Sequence, residues 1–126
     1  MPDNHPLTGK NILIVDDSPV DLARMQSVLA PYNTNILPAR SAENALNVCE
    51  SFGPDYIFCD IVMDGDDGYE FVQRVREKGY QKTPIVMVSS KSEQSVCDYL
   101  MYIGANAYIV KPITTKKLAK VLNDIK

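Results

Sequence analysis

The sequence predicts an α/β domain built on an open parallel sheet, and three observations carry that expectation. Short continuous apolar runs alternate with stretches of helical periodicity. Such runs mark strands buried on both faces, the usual state of a parallel sheet covered by helices. No hairpin turn signals separate the runs, so each return to the sheet is made through a helix. Finally, five strand-helix units are too few to close an eight-fold barrel, which leaves one sheet as the middle layer of a three-layer sandwich.

The elements follow in order. "NILIV" (11–15) reads as the first strand. Ser18-Pro19 then starts a helix, with serine as cap and proline at the first helical position. Val20, Ala23, Val28 and Leu29 are its expected inward face, to about residue 30, and Pro31 ends it. "NILPA" (35–39) is the second strand. Ser41 caps a helix carrying Ala45, Leu46, Val48 and Cys49, and Gly53-Pro54 closes it. "YIFCD" (56–60) is the third strand, followed from about Gly68 by a helix with Phe71, Val72 and Val75 inward. "PIVMVSS" (84–90) is the fourth strand. Val96, Leu100 and Ile103 mark the next helix, which Gly104 stops; Tyr99 and Tyr102 lie off that stripe, so the spacing allows them to be exposed. "AYIV" (107–110) is the fifth strand. Leu118, Val121, Leu122 and Ile125 line the last helix, from about Thr115.

Whole-chain properties narrow the function. The 126 residues suffice for one domain with a single core. A hydrophobic fraction of 45% with 23% charged residues is that of a globular protein. The net charge of −3 argues against nucleic acid as a direct partner, because phosphate binding needs a basic face. No apolar stretch is long enough for a membrane span, and the polar start MPDNHPLTGK carries no signal region. Cys49, Cys59 and Cys97 lack metal or disulfide spacing and read as small buried hydrophobes. A cytoplasmic location is the expectation.

Ligands of open parallel sheets bind beyond the carboxyl ends of the strands. There the first strand delivers Asp16-Asp17, the third Asp60, the fourth Ser89-Ser90 and the fifth Lys111-Pro112. The second delivers only Ala39-Arg40 and reads as structural. Two like charges about 4 Å apart repel by roughly 4 kcal/mol at an effective dielectric near 20. A hard divalent cation removes that cost, and oxygen-only ligands suit magnesium better than zinc. A lysine beside the metal suits an anion, and a hydroxyl suits hydrogen bonding to it. The set describes a phosphoryl-transfer site. Taken singly, each motif has a plainer reading as a turn, a helix cap or a solvated side chain.

The motifs "ILIVDDS" (12–18), "DIVMDGDDG" (60–68), "VSS" (88–90) and "GANAYIVKP" (104–112) make the chain resemble the receiver domain of two-component response regulators. That resemblance implies a flavodoxin-like (βα)5 fold with a five-stranded parallel sheet of order 2-1-3-4-5. It also implies a receiver domain over 10–126 behind an N-terminal tail, 1–9. Asp60 then corresponds to the phosphoacceptor. Asp17 corresponds to a direct magnesium ligand, Asp16 to an acid acting mainly through water, and Val62 to a backbone carbonyl ligand; manganese is an alternative metal. Ser89 matches the switching hydroxyl, Lys111 the lysine that pairs with the phosphoryl oxygens, and Tyr108 the aromatic whose rotamer accompanies activation. The implied partners are a sensor histidine kinase or histidine phosphotransfer protein as donor and a downstream target protein. The target would meet the face of the fourth helix, fifth strand and fifth helix, with the chain a monomer or a phosphorylation-dependent dimer. Only His5 is present, so the chain is not its own histidine kinase, and the resemblance implies no enzyme beyond self-phosphorylation and dephosphorylation.

Some residues depart from the family pattern. Asp64 and Gly65 follow Met63 where a proline is usual, leaving a looser and more acidic loop. Asp66 and Asp67 read as loop and helix-start acids, favourable near a helix N-terminus. Val62 and Lys91 flank the path of the hydrolytic water, and valine cannot orient water, which implies a longer-lived phosphoaspartate. Other functions fit less well. An aspartate-nucleophile phosphatase would need a second aspartate where Val62 stands. An EF-hand loop from Asp60 lacks its closing glutamate, since Phe71 is there. A flavodoxin-type cofactor carrier would meet an acidic first loop that repels phosphate. No output domain follows residue 126, so the chain is either a stand-alone regulator or a receiver from a longer one.

Overall fold

The computed structural model describes residues 7–63, 66–90 and 94–125, with the backbone alone at 62, 63, 66, 67 and 94. Five strands, β1 (Asn11–Val15), β2 (Asn35–Ala39), β3 (Tyr56–Asp60), β4 (Ile85–Ser89) and β5 (Ala107–Val110), form one sheet. Its order is β2-β1-β3-β4-β5, all parallel, as the sequence implied. Between and after the strands run α1 (Pro19–Leu29), α2 (Ala42–Phe52), α3 (Gly68–Glu77), α4 (Gln94–Ile103) and α5 (Thr115–Asp124).

The apolar runs become strands because both of their faces are covered. Ile12, Leu13, Ile14 and Val15 are all fully buried, as are Ile57, Phe58 and Cys59. Alternation sends Leu13, Val15, Ile57, Cys59, Ile85 and Met87 toward α2, α3 and α4. Ile12, Ile14, Phe58, Val86, Val88 and Ile109 point instead toward α1 and α5. All three cysteines are free and buried, as small hydrophobes should be.

Two helix starts follow the caps read from the sequence, Ser18 and Ser41, and a third cap is Thr114. Ser18 accepts from the Asp21 N–H and Ser41 from the Asn44 N–H, and Thr114 does the same for Lys117. The inward face of α1 differs from the expected one. Leu22, Met25 and Leu29 are buried, whereas Val20 is 73% exposed and Ala23 is also exposed. Spacing of i, i+3 and i+7 gives a better stripe than Val20-Ala23, and Val20 and Ala23 are left outward. Pro31 falls within a 3-10 turn, Ala30–Tyr32, that extends the helix end. Tyr99 and Tyr102 are exposed, at 47% and 86%, and the Tyr99 ring leans on Tyr69 of α3 with centroids 5.2 Å apart.

Two features were not legible from periodicity. Val62–Met63 pairs antiparallel with Asp66–Asp67, a two-residue ladder between β3 and α3; the Asp64-Gly65 dipeptide between them is a hairpin-type signal that the reading by periodicity passes over. Leu7 is buried against the α1/α5 side, and the Gly9 N–H donates to the Asn33 carbonyl, so both pack with the domain. Among the described residues, no helix is long and apolar enough to cross a membrane.

At the amino end of the sheet, Arg76 ties three segments together. Its guanidinium donates to the carbonyls of Gly104, Tyr80 and Thr83 and to Asn106 Oδ1. Asn106 Oδ1 also accepts from the Ile85 N–H at 2.8 Å, so one cluster holds the starts of β4 and β5. Gly104, at φ 122°, lies so close that a Cβ there would sit 3.1 Å from Arg76 Cγ. Truncating Arg76 to Ala removes the donor for several partly buried carbonyls and should cost about 2 kcal/mol. Arg76→Lys should recover only a minor part, because an ammonium lacks the planar fork. Urea midpoints of the two variants check this; full recovery by lysine would contradict the geometric role.

Candidate functional site

Strand register accounts for the site. Val15 of β1 stands opposite Cys59 of β3, so Asp16 and Asp60, each one residue further, reach the same level at the carboxyl edge. Asp60 pairs with Val88, and Ser89 with Val110, which puts Ser89 and Lys111 successively higher along that edge. Alternation then sorts the side chains. Counting in twos from Ile14, Phe58 and Ile109, Asp16, Asp60 and Lys111 belong to the α1/α5 face. Counting from Met87, Ser89 belongs to the α3/α4 face, as does Tyr108, which packs half-buried against that core.

The geometry brings the acids together. Asp16, Asp17 and Asp60 each offer a carboxylate oxygen, and these lie within 4.8 Å of one another. Asp16 is fully buried, Asp60 is 7% exposed and Ser89 is 6% exposed; Asp17 is partly open. The Ser18 N–H donates to Asp16 Oδ1 at 2.9 Å, and the Asp17 carbonyl accepts from Arg40 Nη2 at 3.3 Å. Arg40 therefore connects β2 to the site, although the sequence reading took that strand as structural only. Val62 lies two residues past Asp60, its backbone in the short ladder opposite Asp67. Asp64, Gly65, Lys91 and His5 fall outside the described residues.

Lys111 supplies the counter-charge. Its ammonium lies 3.1 Å from Asp16 Oδ2, 2.8 Å from Asp21 Oδ2 and 3.5 Å from Asp60 Oδ1. Asp21 was not singled out in the sequence. Its position four residues after Asp17, in the first turn of α1, was the available signal. Burial pulls Lys111 toward its neutral form, but hydrogen bonds to Asp21 and Asp16 and the charges of Asp60 and Asp16 outweigh it. The lysine is therefore held above its ordinary pKa. Asp16 shows the reverse balance: burial raises its pKa, and the Ser18 N–H and Lys111 compensate only in part.

That residual cost has a chemical meaning. Magnesium ligands at about 2.1 Å bring neighbouring oxygens to about 3 Å, and one ligand acting through water stands further off. A set of three carboxylate oxygens within 4.8 Å fits such an ion, as does the all-oxygen chemistry of the donors. At the fifth strand, the Tyr108 hydroxyl is held above its ordinary pKa, mainly by a hydrogen bond with Cys97 of α4. Tyr108 thus touches the helix that covers its face.

Comparison with known proteins agrees with this geometry. The profile described as response regulator receiver domain matches residues 12–123. Protein PilH of Pseudomonas aeruginosa is 26% identical over 115 residues, covering 90% of this chain and 95% of its own length. The positive alginate biosynthesis regulatory protein of the same organism is 32% identical over 115 residues, which are 89% of this chain but 45% of that protein. Among solved structures, the chemotaxis response regulator CheY4 of Vibrio cholerae superimposes with a TM-score of 0.85 at 28% identity, covering 94% of this chain and all of CheY4.

One contact beneath Asp60 lends itself to a test. Gly68, the first residue of α3, donates its N–H to the Ile61 carbonyl at 2.8 Å. A Cβ built there would fall 2.6 Å from the Asp60 carbonyl oxygen and 2.7 Å from Ile61 Cα. Backbone, unlike a flexible side chain, cannot swing aside. Gly68→Ala should destabilise the fold by about 1–3 kcal/mol and displace the strand end that carries Asp60. Urea unfolding together with the amide NMR shifts of residues 59–61 measures both effects.

Proposed function

The chain belongs to the response regulator receiver family, and on that premise we propose that it is a phosphorylation-controlled switch whose phosphoacceptor is Asp60. The observation carrying this reading is a buried carboxylate at the end of β3, grouped with Asp16 and Asp17 and 3.5 Å from the Lys111 ammonium. A carboxylate in that setting is shielded from water yet faces positive charge, as an attack on a phosphoryl group demands.

The donor is a phosphohistidine of a sensor kinase or histidine phosphotransfer protein. An Asp60 carboxylate oxygen bonds to phosphorus as the phosphorus–nitrogen bond of the donor breaks, and the imidazole leaves carrying the bond electrons and takes up a proton. Magnesium, or manganese, held by Asp16, Asp17, Asp60 and the Val62 carbonyl, would supply charge neutralisation to the approaching anions. Lys111 stabilises the charge on the transferred oxygens, and positioning carries most of the remaining catalysis. Ser89, on the α4 side of the edge, donates its hydroxyl to the new oxygens. Tyr108, on the same face, turns into the space this opens, and the signal passes to the α4-β5-α5 surface. Water later hydrolyses the acyl phosphate and returns Asp60. In this reading the chain binds a downstream protein, acts in the cytoplasm and catalyses only its own phosphorylation and dephosphorylation. It is a monomer, or a dimer once phosphorylated.

A second reading, a receiver segment of a longer regulator with an output domain, is favoured by the relatives that are much longer. The chain spans 45% of the alginate regulator and 32% of the regulator of RpoS of Escherichia coli.

Incubation with acetyl phosphate and magnesium should add one phosphoryl group, detected by intact mass. Asp60→Asn or chelation of the metal should abolish the gain, and uptake unaffected by Asp60→Asn would refute the assignment. Small phosphate esters should remain unhydrolysed. Decay of the phosphorylated protein gives a further check, since Val62→Asn should shorten the lifetime several-fold by orienting the attacking water. Equal lifetimes would remove valine as the cause of slow turnover.

A further inference from the structure

We infer that Asp21 is a positioning residue, a latch that holds the Lys111 ammonium away from Asp60 until Asp60 carries its phosphoryl group. The inference rests on the reading of Asp60 as acceptor and assigns a role to a carboxylate outside the acidic group formed by Asp16, Asp17 and Asp60.

An ammonium has three N–H donors. Two are committed, to Asp21 Oδ2 at 2.8 Å and to Asp16 Oδ2 at 3.1 Å. The distance to Asp60 Oδ1, 3.5 Å, is that of an ion pair beyond ordinary hydrogen-bond length. The shortest contact of the ammonium is therefore with the helix, not with the acceptor. Three features fix this geometry. Lys111 and Asp60 share the sheet face that α1 covers. The start of α1 is anchored to the site, because the Ser18 N–H donates to Asp16 Oδ1 while the Ser18 hydroxyl accepts from the Asp21 N–H. The Lys111 N–H is in turn bound to the Ser89 carbonyl at 2.6 Å, so the base of the lysine cannot drift. Asp21 and Lys111 then close a small cleft together with Asp16, Arg24, Met25 and Ile113.

A phosphoryl group on Asp60 brings about −1.5 to −2 charges and new acceptor oxygens. The third N–H of Lys111 can meet one of these oxygens, and the ammonium can engage a second only by giving up a bond it already has. Asp16 is fully buried and has few other donors, whereas the Asp21 side chain is 36% exposed and can be rehydrated. The bond released is the one to Asp21. Neutral asparagine at this position removes the competing charge while keeping the shape of the helix start.

The test uses the full chain with saturating magnesium and beryllofluoride as the phosphoryl mimic. Asp21→Asn should raise beryllofluoride affinity about three- to fivefold, the scale of a partly exposed ion pair. In a Lys111→Met background the same change should have no effect, because no ammonium is left to hold. A rise that persists there, or affinity unchanged or lowered in Asp21→Asn alone, overturns the latch. If Lys111→Met binds too weakly to measure, lysine side-chain NMR decides. The Lys111 Nζ signal should move in the same direction on beryllofluoride binding to the wild type and in Asp21→Asn without it; an unmoved signal in the variant overturns the proposal. Should Asp21→Asn fail to fold, Asp21→Ser replaces it in both measurements. Failure of the acceptor reading looks different: the wild type then shows no beryllofluoride binding that Asp60→Asn abolishes.

Discussion

One ammonium group governs the chemistry of this edge. Parallel topology brings Asp16, Asp17 and Asp60 to one place, and the backbone offsets their repulsion only through the Ser18 N–H on Asp16. Lys111 does so from β5, through Asp16, Asp21 and Asp60 at 2.8–3.5 Å. Compensation is incomplete: Asp16, fully buried, keeps a pKa above the ordinary aspartate value even with Lys111 and the Ser18 N–H bound to it. Because the folded state favours protonated Asp16, this group contributes most to stability below the unfolded aspartate pKa. The contribution falls as pH rises through the higher folded value. At neutral pH the charged acid is a local burden on the fold. A protein that only needed stability would place an apolar residue there, so the burden marks a site shaped for binding positive charge or a charge-bearing reaction.

The strands were legible because burial on both faces leaves continuous apolar runs, and the sheet order followed from the family motifs that sit at strand ends. Ser18, Ser41 and the glycine stops were equally readable, since capping is local chemistry. The candidate residues Asp16, Asp17, Asp60, Ser89 and Lys111 were singled out by asking what each strand delivers at its end, and the structure brings the acids and the lysine together. Other features depend on contacts between segments far apart in sequence. Gly68 looks like an ordinary helix start until its closeness to the Asp60–Ile61 backbone is known. Arg76 was not singled out in the sequence and Arg40 read only as the end of a structural strand; the fold alone reveals the carbonyls they meet. The outward turn of Val20 came from a weak stripe, and a two-residue ladder has no period to detect. Asp21 was hidden for another reason: an acid in the first turn of a helix already has a sufficient local explanation in the helix dipole.

The sorting of side chains by face explains how one edge can address two surfaces. Asp60 and Lys111 lie on the side of α1 and α5, while Ser89 and Tyr108 lie on the side of α4. In the proposed reading, a phosphoryl group at Asp60 sits between them and draws the ammonium from one side and the hydroxyl from the other. The Lys111 N–H, bound to the Ser89 carbonyl, makes the backbone common to both. Neither response needs the sheet to deform.

The opposite edge makes that economy possible. Arg76 and Asn106 bind the beginnings of β4 and β5 to the ends of α3 and α4, and the Ile85 N–H and carbonyl both pair with Asn106. With the amino ends of these strands fixed, a pull on Ser89 or Lys111 cannot be absorbed by sliding one strand along the other, because slippage by one residue would turn every side chain to the wrong face. Displacement is then confined to what is free to rotate, namely side chains at the carboxyl edge and the half-buried Tyr108 ring against Cys97 of α4. A rigid base and a charged, incompletely compensated rim are complementary conditions for a switch, since the first keeps the second from dissipating its small forces in the fold.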